Sequence, residues 1–292
     1  MTDPTDTAPK GWLITGVSSG LGRALGQAAL ARGDAVAGTC RGAEDAAAFA
    51  ALAPGRAFGF ALDVADEAAV GRIVDQAEAA LRQAGAGGIG VLVNNAGYGL
   101  VGAVEEASLA EARAQFEVNV FGPLALIKAV LPLMRGRRAG HVINVTSVSG
   151  LAAWAGTGIY CASKFALEGL GETLAQETAE LGIQVTNVEP GGMRTDYAGR
   201  SLVHAAQTIA DYDGLARQAR HILADHAGHE PGDPARVAQA IVDVAGAPGA
   251  PLHLLLGADA QHYAMRKLEA LAADFERWKA LTLSVGFEGA QD

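Results

Sequence analysis

The chain has 292 residues, half of them apolar but only 5 % aromatic, so its core must be built mainly from Ala, Val, Leu and Ile. A formal charge of −10 at pH 7 argues against broad electrostatic attraction to nucleic acid or to an anionic membrane surface. Two cysteines make no disulfide framework and fit a reducing, cytoplasmic setting; no apolar signal region or bilayer-length apolar run is apparent.

In chain order, residues 1–10 read as a flexible polar arm. Over 11–292, short β-type runs alternate with helical stretches, the pattern of one α/β domain whose parallel sheet is covered on both faces. Strands are expected at 12–15, 35–39, 57–62, 89–94, 141–146, 184–189 and 252–256. Helices are expected at 21–32, 43–52, 67–84, 109–135, 159–181 and 234–244, with Pro132 bending or ending the 109–135 stretch. The long irregular connection 191–233 reads as a lid over a binding site. A last helix, 258–281, carries Tyr263, Met265, Leu268, Leu271, Phe275 and Trp278 on one stripe. It is expected to cap the chain's own body; covering a substrate cleft or blocking a tetramer contact are the alternatives.

The first strand runs into Thr15-Gly16-Val17-Ser18-Ser19-Gly20-Leu21-Gly22. Glycines permit a tight turn, and the helix N-terminus beyond them offers free N–H groups and a positive dipole end to a dinucleotide phosphate. The spacing departs from G-x-G-x-x-G, so an ordinary strand-to-helix turn competes with this reading. At the end of the second strand, where NAD binders carry an acidic residue, stands Thr39-Cys40-Arg41, with no carboxylate before Glu44. Arg41 paired with a 2′-phosphate implies NADP(H) over NAD(H); a solvated surface arginine is the alternative. Tyr160 and Lys164 lie one helical turn apart and point the same way. A lysine ammonium beside a phenol favours the phenolate, so the tyrosine exchanges a proton nearer neutral pH. The hydroxyl of Ser147 can hold a carbonyl oxygen, although Thr146 and Ser149 compete for that part and Ser147 alone also reads as a cap. Together these groups suit the movement of a hydride to or from a carbon that carries oxygen.

With Asp63, Asn94-Asn95-Ala96-Gly97, Asn119 and Pro190-Gly191 in the same order, the chain resembles the short-chain dehydrogenase/reductase family over roughly Gly11 to Thr195. The resemblance implies a single-domain Rossmann fold, a seven-stranded parallel doubly wound sheet with helices on both faces. It implies Tyr160 as general acid in reduction and base in oxidation. Lys164 would lower the tyrosine's pKa and bond the nicotinamide ribose, Ser147 would polarise the carbonyl, and Asn119 would hold a water on a proton path. Cofactor contacts would come from Gly16, Ser18, Ser19, Gly20, Leu21 and Gly22 at the phosphate and Arg41 at the ribose. Asp63 with Val64 would meet adenine; Asn95, Ala96 and Gly97 would flank its ribose. Pro190, Gly191 and Thr195 would flank the nicotinamide and its phosphate. Asp63 also reads as the cap of the helix beginning at Glu67.

On the substrate side, Ser147, Trp154, Tyr160, Met193 and Tyr197 are expected to line the pocket, favouring an apolar or aromatic ketone or secondary alcohol. Arg194 and Arg200 in the lid are candidates for a substrate carboxylate or cofactor phosphate. His221, Asp225, His226 and His229 match no familiar ligand spacing, and no metal is expected. Cys161 reads as a small packing residue. The expected protein is a cytoplasmic NADPH-dependent carbonyl reductase, reversible as an alcohol dehydrogenase. It would be a homodimer through the 109–135 and 159–181 helices, or a tetramer, with no nucleic-acid or membrane partner. A regulatory or scaffold protein that binds NADP(H), or an epimerase or dehydratase on the same fold, are the competing readings.

Overall fold

A computed structural model of the chain describes residues 9–195, 201–214 and 228–287. β1 (Gly11–Thr15) is wholly buried, with Trp12 and Ile14 on one face of the sheet and Leu13 on the other. The glycine turn leads into α1 (Gly20–Ala31), then β2 (Ala35–Cys40), α2 (Ala43–Ala50), β3 (Ala57–Ala61) and α3 (Glu67–Gln83). β4 (Val91–Asn94) and a short β5 (Gly99–Val101) precede α4 (Leu109–Phe116), a π turn (Glu117–Phe121) and α5 (Gly122–Arg137). β6 (Gly140–Val145), a 3₁₀ turn (Val148–Gly150), α6 (Gly158–Thr178) and β7 (Ile183–Pro190) come next. β8 (Leu202–His204), α7 (Pro234–Val244), β9 (His253–Leu256) and α8 (Ala258–Leu283) follow.

The seven expected strands form one parallel sheet in the order β3-β2-β1-β4-β6-β7-β9. The order reverses between β1 and β4, and at such a switch point a crevice opens beyond the C-terminal strand ends. Leu25, Phe49 and Ile241 from α1, α2 and α7 close one face over Trp12, Ile14 and Val188. Leu81, Leu126 and Leu174 from α3, α5 and α6 close the other over Leu13, Leu92 and Val142. Each such fully buried side chain contributes about 1.5–3 kcal/mol of transfer free energy.

Four local expectations are corrected. The 109–135 stretch is two helices joined by the π turn, and Pro132 lies inside α5, which continues to Arg137. Leu109–Arg137 thereby forms 29 helical residues, long and apolar enough by composition to cross a membrane. That overturns the reading that no such run exists, but the apolar character has a packing cause. Leu126, Ile127, Val130 and Met134 are buried in the core against the sheet. Asp66, not Asp63, caps α3, its carboxylate accepting from Ala69 N–H. α8 is buried only at Ala260 and Ala264, against Val148, whereas Leu268, Phe275 and Trp278 are 58 %, 69 % and 56 % exposed. It therefore leaves the body after its first turns instead of capping it along its length.

β5 and β8, which the sequence pattern does not announce, pair in parallel as a separate ribbon, Gly99 opposite Leu202. Residues 1–8 of the arm lie outside the described residues, as do 196–200 and 215–227 of the lid with Tyr197, Arg200, His221, Asp225 and His226.

Candidate active site

The glycine turn is held from below by β4. Thr15 Oγ1 accepts the N–H groups of Asn95 and Ala96, both at 2.9 Å, and the Asn95 amide donates to Thr15 O at 2.7 Å and Gly16 O at 3.3 Å. Asn95 thus shapes the turn through its side chain. Gly16 has φ +74°, and a Cβ at Gly22 would stand 2.2 Å from Gly16 O and 2.4 Å from Asn95 Nδ2, so neither position accepts a side chain without displacing backbone. Ser19, at the N-cap of α1, makes no side-chain capping bond. The first N–H groups of α1 are thereby left to an outside acceptor. A Cβ at Gly20 would lie 3.6 Å from Thr195 Cβ, which brings the start of the lid over the turn. Ser18 and Leu21 belong to the same turn. Arg41 is exposed just past the end of β2, whose Thr39 O accepts Gly16 and Val17 N–H.

Asp63 is exposed and bonds Ala65 N–H at 3.0 Å, while Val64 is buried beneath Gly122. Pro190 ends β7 and Gly191 follows it, and the neighbouring Gly192 N–H donates to Asp259 at 2.8 Å, tying this edge to the start of α8. Met193 forms a bridge with Gly232 and packs on the α1–α7 side of the core. Arg194 reaches Glu230 O at 3.3 Å.

The π turn places Asn119 in the interior, 1 % exposed. Its amide donates to Tyr98 O at 3.0 Å and Ser163 Oγ at 3.1 Å, and its oxygen accepts Tyr98 N–H at 3.2 Å. Ser163 Oγ in turn donates to Tyr160 O at 2.7 Å. A Cβ at Gly97 would meet Asn119 Oδ1 at 3.1 Å and Lys164 Nζ at 3.7 Å. Gly97 therefore lies directly against both the amide and the lysine, with little room for a side chain. Lys164 is buried, donates to Val145 O at 2.9 Å, and stands 5.9 Å from the Tyr160 ring centroid. Burial pushes its ammonium down to about 8, opposed by the carboxyl of Glu168.

Ser147 follows β6 and caps the 3₁₀ turn, accepting Ser149 N–H at 3.0 Å, which leaves its own hydroxyl proton to an oxygen acceptor. Its competitor Thr146 is buried and donates to Val188 O. Trp154 is half-buried and meets Tyr263 of α8 edge to face at 5.4 Å, in a small cluster with Val148, Leu151 and Leu255. Cys161 is buried within 3.4 Å of Thr157 Oγ1.

Ser163 and Glu168 were not singled out by sequence reasoning. Ser163 directly precedes Lys164, and Glu168 lies four residues after it on a buried helix face, a spacing that marks it out once the face is known. Glu168, Glu189 and His253 form the one group among the described residues whose ligand atoms all lie within 4.8 Å, close enough to hold a metal ion.

Residues 10–204 match the family profile described as short chain dehydrogenase. The chain is 37 % identical over 275 residues to oxidoreductase BOA17 of Botryotinia fuckeliana, spanning 94 % of this chain and 98 % of that protein. It is 34 % identical over 193 residues to an NADPH-dependent 3-dehydrocapnine reductase of Ornithobacterium rhinotracheale, spanning 65 % and 67 % of the two. The crystal structure of a short-chain dehydrogenase from Streptomyces avermitilis superposes with a TM-score of 0.88 at 37 % identity, over 98 % of this chain and 100 % of that one.

Proposed function

The chain belongs to the short-chain dehydrogenase/reductase family of NAD(P)-dependent oxidoreductases acting on CH–OH and C=O groups, and from that premise we propose an NADPH-preferring carbonyl reductase of apolar or aromatic ketones, reversible as an alcohol dehydrogenase. The observation that carries this reading is Lys164 buried beside Tyr160, with Asn119 close by at Gly97. The uncapped start of α1, the turn closed to side chains and Thr195 above Gly20 fit a dinucleotide phosphate. When bound, the nicotinamide supplies or accepts the hydride.

In this reading Tyr160 gives its phenolic proton to the carbonyl oxygen in reduction and takes it back in oxidation. Ser147 donates its hydroxyl to the same oxygen and stabilises the charge that develops there. Lys164, with its positive charge undiluted by solvent, favours the phenolate and so lowers the cost of the transfer. Asn119 fixes Tyr98 and Ser163, and its amide and Lys164 both lie close to Gly97, which places a polar group beside the lysine for a proton relay. Arg41 favours a 2′-phosphate, and Trp154, backed by Tyr263, gives the carbonyl an apolar wall. A relative named as an NADPH-dependent reductase supports the cofactor preference. A homodimer through α4, the π turn, α5 and α6 is favoured by Phe121 of the π turn and Phe165 of α6, 50 % and 41 % exposed.

The test is cofactor consumption against a panel of apolar and aromatic ketones, aldehydes and diketones, with Tyr160→Phe as background. Turnover that depends on Tyr160 is expected; turnover unchanged in Tyr160→Phe excludes the assigned acid. Arg41→Asp should lower the NADPH-over-NADH preference by about 10- to 150-fold, the equivalent of one charge-assisted hydrogen bond. An unmoved preference would remove Arg41 from the cofactor site.

A further inference from the structure

Behind Lys164, the interior holds an unusual amount of unneutralised polarity. Asn94, Asn144 and Asn187 stand in register on β4, β6 and β7. Their amides donate in one direction, Asn94 to Asn144 at 2.9 Å, Asn144 to Asn187 at 3.1 Å, and Asn187 to Glu168 Oε2 at 2.6 Å. The ladder therefore ends on a carboxyl 3 % exposed. Glu168 is one turn of α6 beyond Lys164. It also underlies the turn that follows Ser147, since a Cβ at Gly150 would lie 2.8 Å from Glu168 Cγ. Glu189, fully buried at the end of β7, bonds His253 Nδ1 of β9 at 2.6 Å, and that nitrogen is 3.7 Å from Glu168 Oε2. His253 is 43 % exposed and links the group to solvent. One oxygen of each buried carboxyl, Glu168 Oε1 and Glu189 Oε2, has no hydrogen-bond partner.

We propose that the Glu168–Glu189–His253 cluster is a positioning group for the reaction, a proton-sharing counter-charge that holds Lys164 as an ammonium from behind. This rests on the assignment of Tyr160 and Lys164 given above. The charged groups facing Glu168 are Lys164 from α6, Glu189 from β7 and His253 from β9, with Glu172 of α6 beyond, against His253 and Glu189; β4 and β6 present neutral amides and Thr146. Burial raises Glu168 to about 7 and raises Glu189 also. Burial works against His253, but the bond to Glu189 and the neighbouring carboxylates outweigh it and raise His253. The three groups lie close enough for their titrations to be coupled. When Glu168 is ionised its charge sustains the ammonium; where that charge is removed, burial alone acts on Lys164 and the ammonium is lost at lower pH. A bound metal is a poorer fit. Ligands at about 2.0–2.2 Å from one ion sit roughly 3 Å or more apart, and the His253–Glu189 contact is already a closed hydrogen bond.

The experiment is the pH–rate profile of the holoenzyme in wild type, Glu168→Gln, His253→Gln and His253→Lys, with urea midpoints to verify folding. In Glu168→Gln the alkaline limb should move down by about one pH unit, a tenfold loss of relative turnover on that limb. His253→Gln should move it the same way by less, because the buried carboxyls then hold their proton to higher pH. His253→Lys, which keeps a cation in place, should restore the wild-type limb. Independently of turnover, the NMR titration of the His253 imidazole should move to lower pH in Glu168→Gln. If Glu168→Gln fails to fold, the two His253 variants, changed at a half-exposed side chain, decide the matter. Folded variants whose limbs and imidazole titration superimpose on wild type would overturn the proposal. Full turnover in Tyr160→Phe would sink the catalytic assignment beneath it; a dead Tyr160→Phe with unmoved limbs would sink the coupling alone.

Discussion

The two ends of the parallel sheet treat buried charge in opposite ways. At the N-terminal ends, Asp34 takes Lys10 N–H and Trp12 Nε1, both at 2.9 Å. Glu78 takes Ile89 N–H, Arg82 and Arg137 at 2.6–2.7 Å. His141 accepts Gly246 N–H on Nδ1, so its Nε2 carries the proton and donates to Thr186. At the C-terminal ends, the unpartnered buried carboxylate oxygens of the described residues all occur, on Glu168, Glu189 and Asp259. There, too, Lys164 and Glu168 are brought to about 8 and about 7. A closed network fixes one protonation state and contributes stability. An open one leaves groups ready to change charge, which is what proton transfer needs.

The largest effect that breaks this contrast is on rate. Tyr160→Phe removes the proton donor at the C-terminal end and should lower turnover about 10²–10⁴-fold. Its urea unfolding free energy should change by about 1 kcal/mol or less. A matching loss of several kcal/mol in stability would mean that this end is structural after all.

Next is the pH dependence of stability. His141 is held down to about 4, first by burial and then by Lys10, from an ordinary 6.5. Between those values the unfolded chain binds a proton that the native state refuses. The contribution of His141 is therefore complete above pH 6.5 and is lost as pH falls to 4, about 3 kcal/mol in all. Glu168 has the opposite sign, because its native state holds a proton between 4.5 and about 7 that the unfolded chain has released. The two slopes oppose each other in the wild type. Urea titrations at several pH values should show stability rising with pH in Glu168→Gln and falling in His141→Asn. Equal slopes in the two variants would refute the contrast.

Much of this was legible in the sequence because it is periodic or local. The seven strands of the main sheet announce themselves as short buried runs between helical stretches, and Tyr160 and Lys164 are fixed one turn apart by helix geometry. The missed features depend on partners far along the chain. β5 and β8 are three residues each and acquire meaning only by pairing Gly99 with Leu202. The cap of α3 is Asp66, directly before Glu67, and reading Asp63 as the cap places it three residues too early. The stripe of α8 shows that a helix forms but not that Phe275 and Trp278 point away from the body. Glu168 reads as a surface residue until α6 is laid against β7 and buries it with Asn187.

The smallest expected effect sharpens the contrast from the N-terminal side. Glu78 is 10 % exposed in its side chain, and burial alone would raise its pKa. The Ile89 N–H, Arg82 and Arg137 outweigh burial and hold it below the ordinary carboxylate range. Glu78→Gln keeps the shape but turns an amide N–H₂ toward donors. Arg82 is 58 % exposed and adds little, so the loss comes mainly from Ile89 N–H and the 26 %-exposed Arg137. The expected cost is about 2 kcal/mol at pH 7. Because the native carboxyl is depressed, that difference is complete above about 4.5 and should vanish as pH falls through its native value. Turnover per folded molecule should be unchanged, since the partners of Glu78 are Ile89, Arg82 and Arg137, none of them in the catalytic group. A change in the pH–rate profile of Glu78→Gln would show that the two ends of the sheet are coupled, and the division between closed and open networks would fail.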